Sequence, residues 1–366
     1  MKNKVWFLNL DGLRFLAFLS VFLSHSFYTK DTSIFQSLYP LIKKLIYIGS
    51  FGVDFFFVLS SYLITYSLLT EEALTNHINI PRFYARRLLR IWPLYYVCLL
   101  FGFLIFPLFK SFLKLPQNEV ANPLLYFTFL GNFDYILNGS PITSFLGVFW
   151  SVAIEEQFYL TWPIILVLVK SRRAILFISL IAISIVFRYT QASNETVLYF
   201  HTLSTLSALA TGALSAWLCL TFTSFTLFFK NLKKTPILLI YIVGILLILN
   251  VETIFIGNVL IAFERVIIAI FFSFVILEQN YAKHSVCKIT SFRLLSNLGK
   301  YTYGLYCLHL IVLLFISSFF GLFRLKESIF TLAFQSILAL LVSLASSWVS
   351  YHYFEKHFLQ WKKKFV

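Results

Sequence analysis

Long apolar runs, one after another, constrain this chain more than any other feature. Ten are visible, at residues 6–28, 47–69, 91–109, 145–169, 174–189, 197–219, 236–250, 254–277, 298–319 and 329–351. A helix needs about 20 mostly apolar residues to cross the hydrocarbon of a bilayer. Lipid offers the backbone no hydrogen-bond partner, so runs of this length span it as helices. Ten crossings and their loops use up the 366 residues and leave no room for a sizeable soluble domain. Water is a poor alternative solvent, because 59% of the residues are hydrophobic and only 12% are charged. Soluble domains carry roughly 25% charged residues, and too little polar surface would remain here to cover the core. The expected fold is all-α, a polytopic transmembrane helix bundle of about ten crossings, forming a single membrane domain over residues 1–366. Asp11 and Arg14 interrupt the first run, which therefore reads as a retained span and not as a cleaved signal.

A net charge of +15 would point to nucleic acid in a soluble protein. Here the cations sit between the apolar runs. Cytoplasmic loops of membrane proteins are enriched in Lys and Arg, so topology explains the charge and no nucleic-acid partner is expected. With the N-terminus inside, 20 of the 30 Lys and Arg fall in inside loops and 8 in outside loops, while Arg14 and Arg265 lie within spans. Both termini are accordingly placed in the cytoplasm. The longest outside connection, 110–144, holds Pro116, Pro123, Pro141 and an apolar stretch at 124–130. It reads either as a short helix or re-entrant piece at the outer surface or as a plain loop. Cys98, Cys219, Cys287 and Cys307 form no CxxC pair and imply neither a disulfide nor a metal site.

Ionisable residues inside spans cost roughly 2.5–3.5 kcal/mol each on insertion scales and generally face a cavity or a partner. Arg14 and His25 lie on the first span, eleven residues apart. That spacing is three helical turns plus about 20°, so the two share a face, about 16 Å apart along the axis. A snorkelling arginine with a hydrogen-bonded core histidine would give this pattern. So would a path on which an anionic molecule from the cytoplasm meets the cation first and brings its far end to the imidazole. Asp54 on the second span, and Glu155 and Glu156 on the fourth, are possible partners, and two adjacent glutamates cannot both face lipid. The ninth span carries Tyr301, Tyr303, Tyr306 and His309 in an aromatic stretch. Glu264 and Arg265 are adjacent, hence about 100° apart, need separate partners and read as a structural ion-pair group. Arg82, Arg86 and Arg90, spaced i, i+4, i+8, draw a basic stripe along the cytoplasmic end of the third span. Such a stripe suits bidentate phosphate binding, or attraction to lipid headgroups and locking of the topology.

Taken in order, these pieces resemble the acyltransferase-3 family of integral membrane acyltransferases. Leu10-Asp11-Gly12-Leu13-Arg14 with His25 is similar to the family's opening signature. The second-span pattern follows at 52–60, the arginine motif at 83–93 and the acidic fourth-span motif at 150–159. Residues 299–308 and Tyr351-His352-Tyr353-Phe354-Glu355-Lys356 resemble its C-terminal pieces. Each motif is weak alone; their order and spacing over nearly the whole chain are specific. Phe15 and Ser61 stand where the family has glycine, each placing a larger side chain at a possible close helix approach. The resemblance is to the family's membrane domain, without the extracytoplasmic hydrolase-like domain that some relatives carry.

The resemblance implies transfer of an acyl group, usually acetyl from acetyl-CoA, onto a sugar hydroxyl of a cell-surface polysaccharide, lipopolysaccharide or glycolipid, in a bacterial cytoplasmic membrane and without a metal. It turns His25 and Arg14 from structural into functional candidates. His25 then serves as general base, with Asp54, Glu155 or Glu156 orienting the ring. Arg14, Arg86, Arg87 and Arg90 would hold the phosphates of coenzyme A at the cytoplasmic mouth. Direct transfer is expected ahead of a covalent acyl-enzyme, for which Ser24 and Ser60 are the conceivable carriers. The alternative is a transporter or flippase for lipid-linked sugars, which would share the spans and buried charges but need no acyl-CoA site.

Overall fold

The computed structural model describes residues 8–27, 39–112, 114, 119–141, 143–322 and 328–362. Among these the regular structure is helical, with no strand. In chain order the helices are α1 (Leu8–Ser26), α2 (Tyr39–Thr75), α3 (Ile80–Leu100), α4 (Phe106–Phe112), α5 (Pro123–Phe127), α6 (Gly131–Asn138), α7 (Phe149–Leu168), α8 (Arg173–Thr190) and α9 (Glu195–Phe200). They continue with α10 (Thr202–Thr221), α11 (Thr223–Asn231), α12 (Lys234–Leu249), α13 (Val251–Ile254), α14 (Gly257–Tyr281), α15 (Arg293–Leu298), α16 (Thr302–Leu322), α17 (Ile329–Ser350) and α18 (Lys356–Lys362).

Eight helical stretches are long and apolar enough to cross a bilayer: Tyr47–Thr75, Ile80–Phe112, Phe149–Leu168, Arg173–Thr190, Glu195–Thr221, Gly257–Tyr281, Arg293–Leu322 and Ile329–Trp361. The two remaining apolar runs take other forms. α11 and α12 qualify only together and meet at a 94° bend, so the run at 236–250 follows a sharp corner. α1 has the length, 19 residues, but Asn9, Asp11, Arg14 and His25 dilute its hydropathy. Large aliphatic side chains such as Ile175, Ile178 and Val186 on α8 and Leu239 and Val243 on α12 are exposed, as faces turned to lipid must be. The chain is a multi-pass membrane protein. Single π-helical turns at Phe101–Ile105 and Tyr351–Glu355 join α3 to α4 and α17 to α18.

The helices divide into two compact units. The first comprises residues 1–20, 50–78 and 166–300. Within it α8, α10 and α14 pack on one another, because α10 buries a small-residue face that includes Ser204, Ser207, Ala208, Thr211, Gly212 and Ser215. Small side chains let helix backbones approach where lipid supplies no hydrophobic drive. At Gly212 a Cβ would stand 2.2 Å from both Ser61 Oγ and the Val58 carbonyl of α2. The space that Ser61 no longer leaves on α2 is thus provided from the opposite side of the contact. The start of α1 is held in the same way: a Cβ on Gly299 would lie 2.1 Å from the Asp11 carbonyl.

Buried ions bind the first unit together. Arg265 Nε lies 3.0 Å from Asp54 Oδ1, and Arg188 Nη2 lies 2.8 Å from Glu264 Oε2. Arg188 also donates to the Ile261 carbonyl, and both guanidiniums reach the Leu198 carbonyl and Ser204 Oγ. The neighbours Glu264 and Arg265 therefore do take separate partners.

The second unit comprises residues 21–49, 79–165 and 301–366. α3 begins where Asn79 Oδ1 accepts the Arg82 N–H at 3.0 Å and Pro81 occupies the first turn, a standard start for a helix. The apolar stretch at 124–130 forms α5 and the turn after it. Tyr95 and Tyr96 of α3 donate to the Tyr126 and Phe127 carbonyls, at 2.6 and 3.1 Å. Gln157 of α7 donates to the Phe129 carbonyl and to Asn132 Oδ1, both at 2.8 Å. These bonds satisfy irregular backbone and pin the connection to α3 and α7.

The approach at Gly212 yields a test. Gly212→Val forces α2 and α10 apart and is expected to cost about 1–3 kcal/mol, read as a lower thermal-aggregation midpoint of the detergent-solubilised protein. An unchanged midpoint would contradict the close contact.

Candidate active site

His25 sits in the last turn of α1, in the second unit. His25 has accessible surface, although protein packs closely around its ring and Phe22, Ser24 and Ser26 beside it are buried. Leu23 is also exposed, at 43%, and two residues on a helix are about 200° apart. α1 is therefore open on opposite sides here, one aliphatic and suited to lipid, the other carrying the imidazole. Arg14 shares the imidazole side by helical count. Its side chain is 33% exposed, with Nη1 2.6 Å from Asp11 Oδ1 one turn earlier.

His25 Nδ1 lies 3.1 Å from Nε2 of His309 on α16. The ring planes are 27° apart and their centroids 5.3 Å apart, an arrangement suited to an in-plane N–H···N bond. His309 is fully buried. Its Nδ1 is 2.8 Å from the Tyr306 carbonyl and 3.1 Å from the Leu305 carbonyl. The Tyr306 hydroxyl in turn lies 2.5 Å from Ser151 Oγ on α7. Residues 306 and 309 are three apart on α16, so their side chains leave the helix on neighbouring positions of one face. Three helices of one unit thus bring two polar pairs close together, His25 with His309 and Tyr306 with Ser151.

The glutamates of α7 have their own partners. Glu156 is 2% exposed. Its Oε2 accepts Trp92 Nε1–H of α3 at 2.8 Å, and its Oε1 has no hydrogen-bond partner among the described residues. Glu155 Oε2 accepts the Tyr159 hydroxyl at 2.8 Å. The Arg87 guanidinium lies over the rings of Phe83, at 5.5 Å, and Tyr159, at 5.7 Å. Arg87 thus turns towards α7, about 100° from Arg86. Arg82, Arg86 and Arg90 are half-buried. The charge of Arg90 acts on Glu355, which is buried in the second π turn and accepts the Ser350 hydroxyl at 3.1 Å.

Of the three carboxylates considered as ring-orienting groups, Asp54 faces Arg265, Glu155 faces Tyr159 and Glu156 faces Trp92. The group within hydrogen-bond reach of His25 is another imidazole, His309. The sequence signal for it was a lone histidine in an aromatic apolar run, which fixes depth but not direction. Asp11 as the partner of Arg14 was legible from its i, i+3 spacing. Ser24 and Ser60 donate to the Val21 and Phe57 carbonyls of their own helices, at 2.7 and 3.3 Å. No cluster of three or more His, Cys, Asp or Glu among the described residues could hold a metal ion.

The fold and this arrangement define a polytopic membrane protein built around a histidine pair. The chain belongs to the acyltransferase-3 family, whose acyltransferase-domain profile matches residues 7–352. It is 32% identical over 340 residues to a protein of Staphylococcus aureus strain COL provisionally named an O-acetyltransferase, covering 85% of this chain and 51% of that one. It is 26% identical over 339 residues to the O-acetyltransferase OatA of S. aureus strain NCTC 8325, with the same coverage of 85% and 51%. The chain therefore spans about half the length of these curated relatives. No solved structure gives a significant match.

The pairing of Asp54 can be tested apart from catalysis. Asp54→Asn leaves the buried guanidiniums under-neutralised and is expected to cost about 3–5 kcal/mol. The double variant Asp54→Leu with Arg265→Met should recover most of that loss. Equal thermal midpoints for the single and double variants would refute the ion pair as the role of Asp54.

Proposed function

We propose that this protein is an O-acyltransferase of the bacterial cytoplasmic membrane, moving an acyl group, in the first place acetyl from acetyl-CoA, onto a sugar hydroxyl of a cell-surface glycan or glycolipid. Membership of the acyltransferase-3 family and the O-acetyltransferase names of its S. aureus relatives support this reading. One observation carries it to the residues: the His25 imidazole is exposed on the side of α1 opposite the exposed Leu23, and is backed by a buried polar group. A titratable group is costly inside a membrane span, and an exposed one opposite an aliphatic face is placed to meet a substrate.

In the proposed reaction His25 takes the proton of the acceptor hydroxyl while the oxygen attacks the thioester carbonyl. The C–O bond forms, the C–S bond breaks, and the proton passes to the departing thiolate. Arg86 and Arg90 hold the phosphates of the donor on the cytoplasmic side, and Arg14 is the cation three turns before His25 on α1 by helical count. The pantetheine arm then follows α1 over the eleven residues to His25, about 16 Å. Arg87, stacked between Phe83 and Tyr159, positions α7 against α3. Ser24 and Ser60 spend their hydroxyl protons on helix carbonyls, which favours direct transfer over an acyl-enzyme.

Purified protein with radiolabelled acetyl-CoA and a cell-envelope acceptor fraction provides the test. His25→Ala should lower product formation by about 10²-fold or more without loss of folded protein, and wild-type product levels would remove His25 from the mechanism. Arg86→Gln and Arg90→Gln should each weaken acyl-CoA binding about tenfold, the effect of losing one charge-assisted contact. Unchanged binding would return the stripe to topology.

A further inference from the structure

We propose that His309 is a positioning residue that fixes the tautomer of His25, so that His25 presents a bare Nε2 to the acceptor hydroxyl. The proposal rests on the reading of His25 as the base and adds the group that sets it.

The argument follows hydrogens through the bonds. His309 Nδ1 faces two carbonyl oxygens, those of Tyr306 and Leu305, at 2.8 and 3.1 Å. A carbonyl oxygen only accepts, so Nδ1 carries a hydrogen. In neutral imidazole the other nitrogen then bears the lone pair, so His309 Nε2 is an acceptor. His25 Nδ1, 3.1 Å away, must therefore be the donor. With its one hydrogen on Nδ1, neutral His25 carries its lone pair on Nε2, the nitrogen not engaged by His309. An unconstrained histidine favours the opposite tautomer, with hydrogen on Nε2, which could not take a proton there. The backbone of α16 thus dictates, through one buried ring, which nitrogen of His25 is basic.

The arrangement also serves the charged state. When His25 Nε2 takes the hydroxyl proton the ring becomes an imidazolium, and its Nδ1–H already points at the lone pair of His309. The proton can be shared along this bond, with His309 Nδ1–H still donating to the two carbonyls. When the thiolate leaves, Nε2 gives up the proton and both rings return to their starting tautomers, so atoms and charge balance over the cycle.

The test uses the full chain in lipid nanodiscs with ¹⁵N-labelled imidazoles, the signals being assigned with His25→Ala and His309→Gln. In the wild-type resting protein at a pH where both rings are neutral, His25 Nε2 should give a pyridine-type nitrogen signal and Nδ1 a protonated, pyrrole-type one. His309→Gln places an amide oxygen that can accept from His25 Nδ1, and should keep this signature and most of the turnover. His309→Leu removes the acceptor, and should release the signature and lower kcat at least tenfold with the acyl-donor KM within twofold of wild type. A hydrogen on His25 Nε2 in the wild type overturns the proposal, as does a His309→Leu protein with unchanged kcat. Should His309→Leu not fold, the wild-type tautomer and the His309→Gln turnover still decide. The spectra need no substrate, so loss of the acyltransferase reading would register separately, as product formed by His25→Ala.

Discussion

A polar group placed in hydrocarbon has to find its partner within the protein, and that constraint shapes each unusual feature of this chain. Backbone groups meet it through helix; side chains meet it by pairing. In the first unit four buried charges neutralise one another across α2, α8 and α14, and the surplus guanidinium hydrogens go to carbonyls and Ser204. In the second unit the polar groups near His25 are neutral: His309, whose Nδ1 meets helix carbonyls, and the Tyr306–Ser151 hydroxyl pair. The two solutions differ in consequence. Opposed full charges lock helices together, whereas an imidazole pair meets the same constraint without a permanent charge.

Close packing makes these partnerships possible. Asp54 on α2 and Arg265 on α14 both lie in a unit where α10 is stripped to small residues, and Gly212 lets α2 settle against it. The room for this contact is a property of the pair of surfaces: Ser61 of α2 is accommodated because Gly212 of α10 has no side chain. In the second unit the π turn at Tyr351–Glu355 brings the Glu355 carboxylate to 2.9 Å from where a Cβ on Gly304 would be. A wider turn shifts the side chains that follow it around the helix axis, and the family's last motif coincides with that turn.

Spans were legible in the sequence because hydrocarbon thickness imposes a length and a composition that few other contexts share. Ends were less so. α3 begins at Ile80, well before the apolar run at 91, since its first turns carry the arginine stripe and lie where water or headgroups solvate them. α1 was visible as a span, but its apolar character is diluted by Asn9, Asp11, Arg14 and His25. Helical periodicity put Glu264 and Arg265 on different partners, as follows from angle alone. It offered Asp54, Glu155 and Glu156 as neighbours of His25 and did not single out His309, which the structure places there. That choice depends on which helices meet and how they are rotated, which a single sequence does not encode locally.

The identity of that neighbour has a physical logic. A carboxylate beside the base would stabilise the imidazolium more strongly than an imidazole does, but would have to sit charged and desolvated through the resting state, at several kcal/mol unless paired. The buried carboxylate at Asp54 comes with a guanidinium, while that of Glu156 is met by the Trp92 N–H; a guanidinium next to His25 would oppose protonation of the very ring it accompanied. An imidazole avoids both problems. It is neutral when the base is neutral, costs little to bury once its Nδ1–H is satisfied by helix carbonyls, and offers its lone pair only along the direction from which the new charge arrives. The geometry around His309 meets each of those conditions with backbone atoms of its own helix, so His25 is held by the fold itself and not by an added charge.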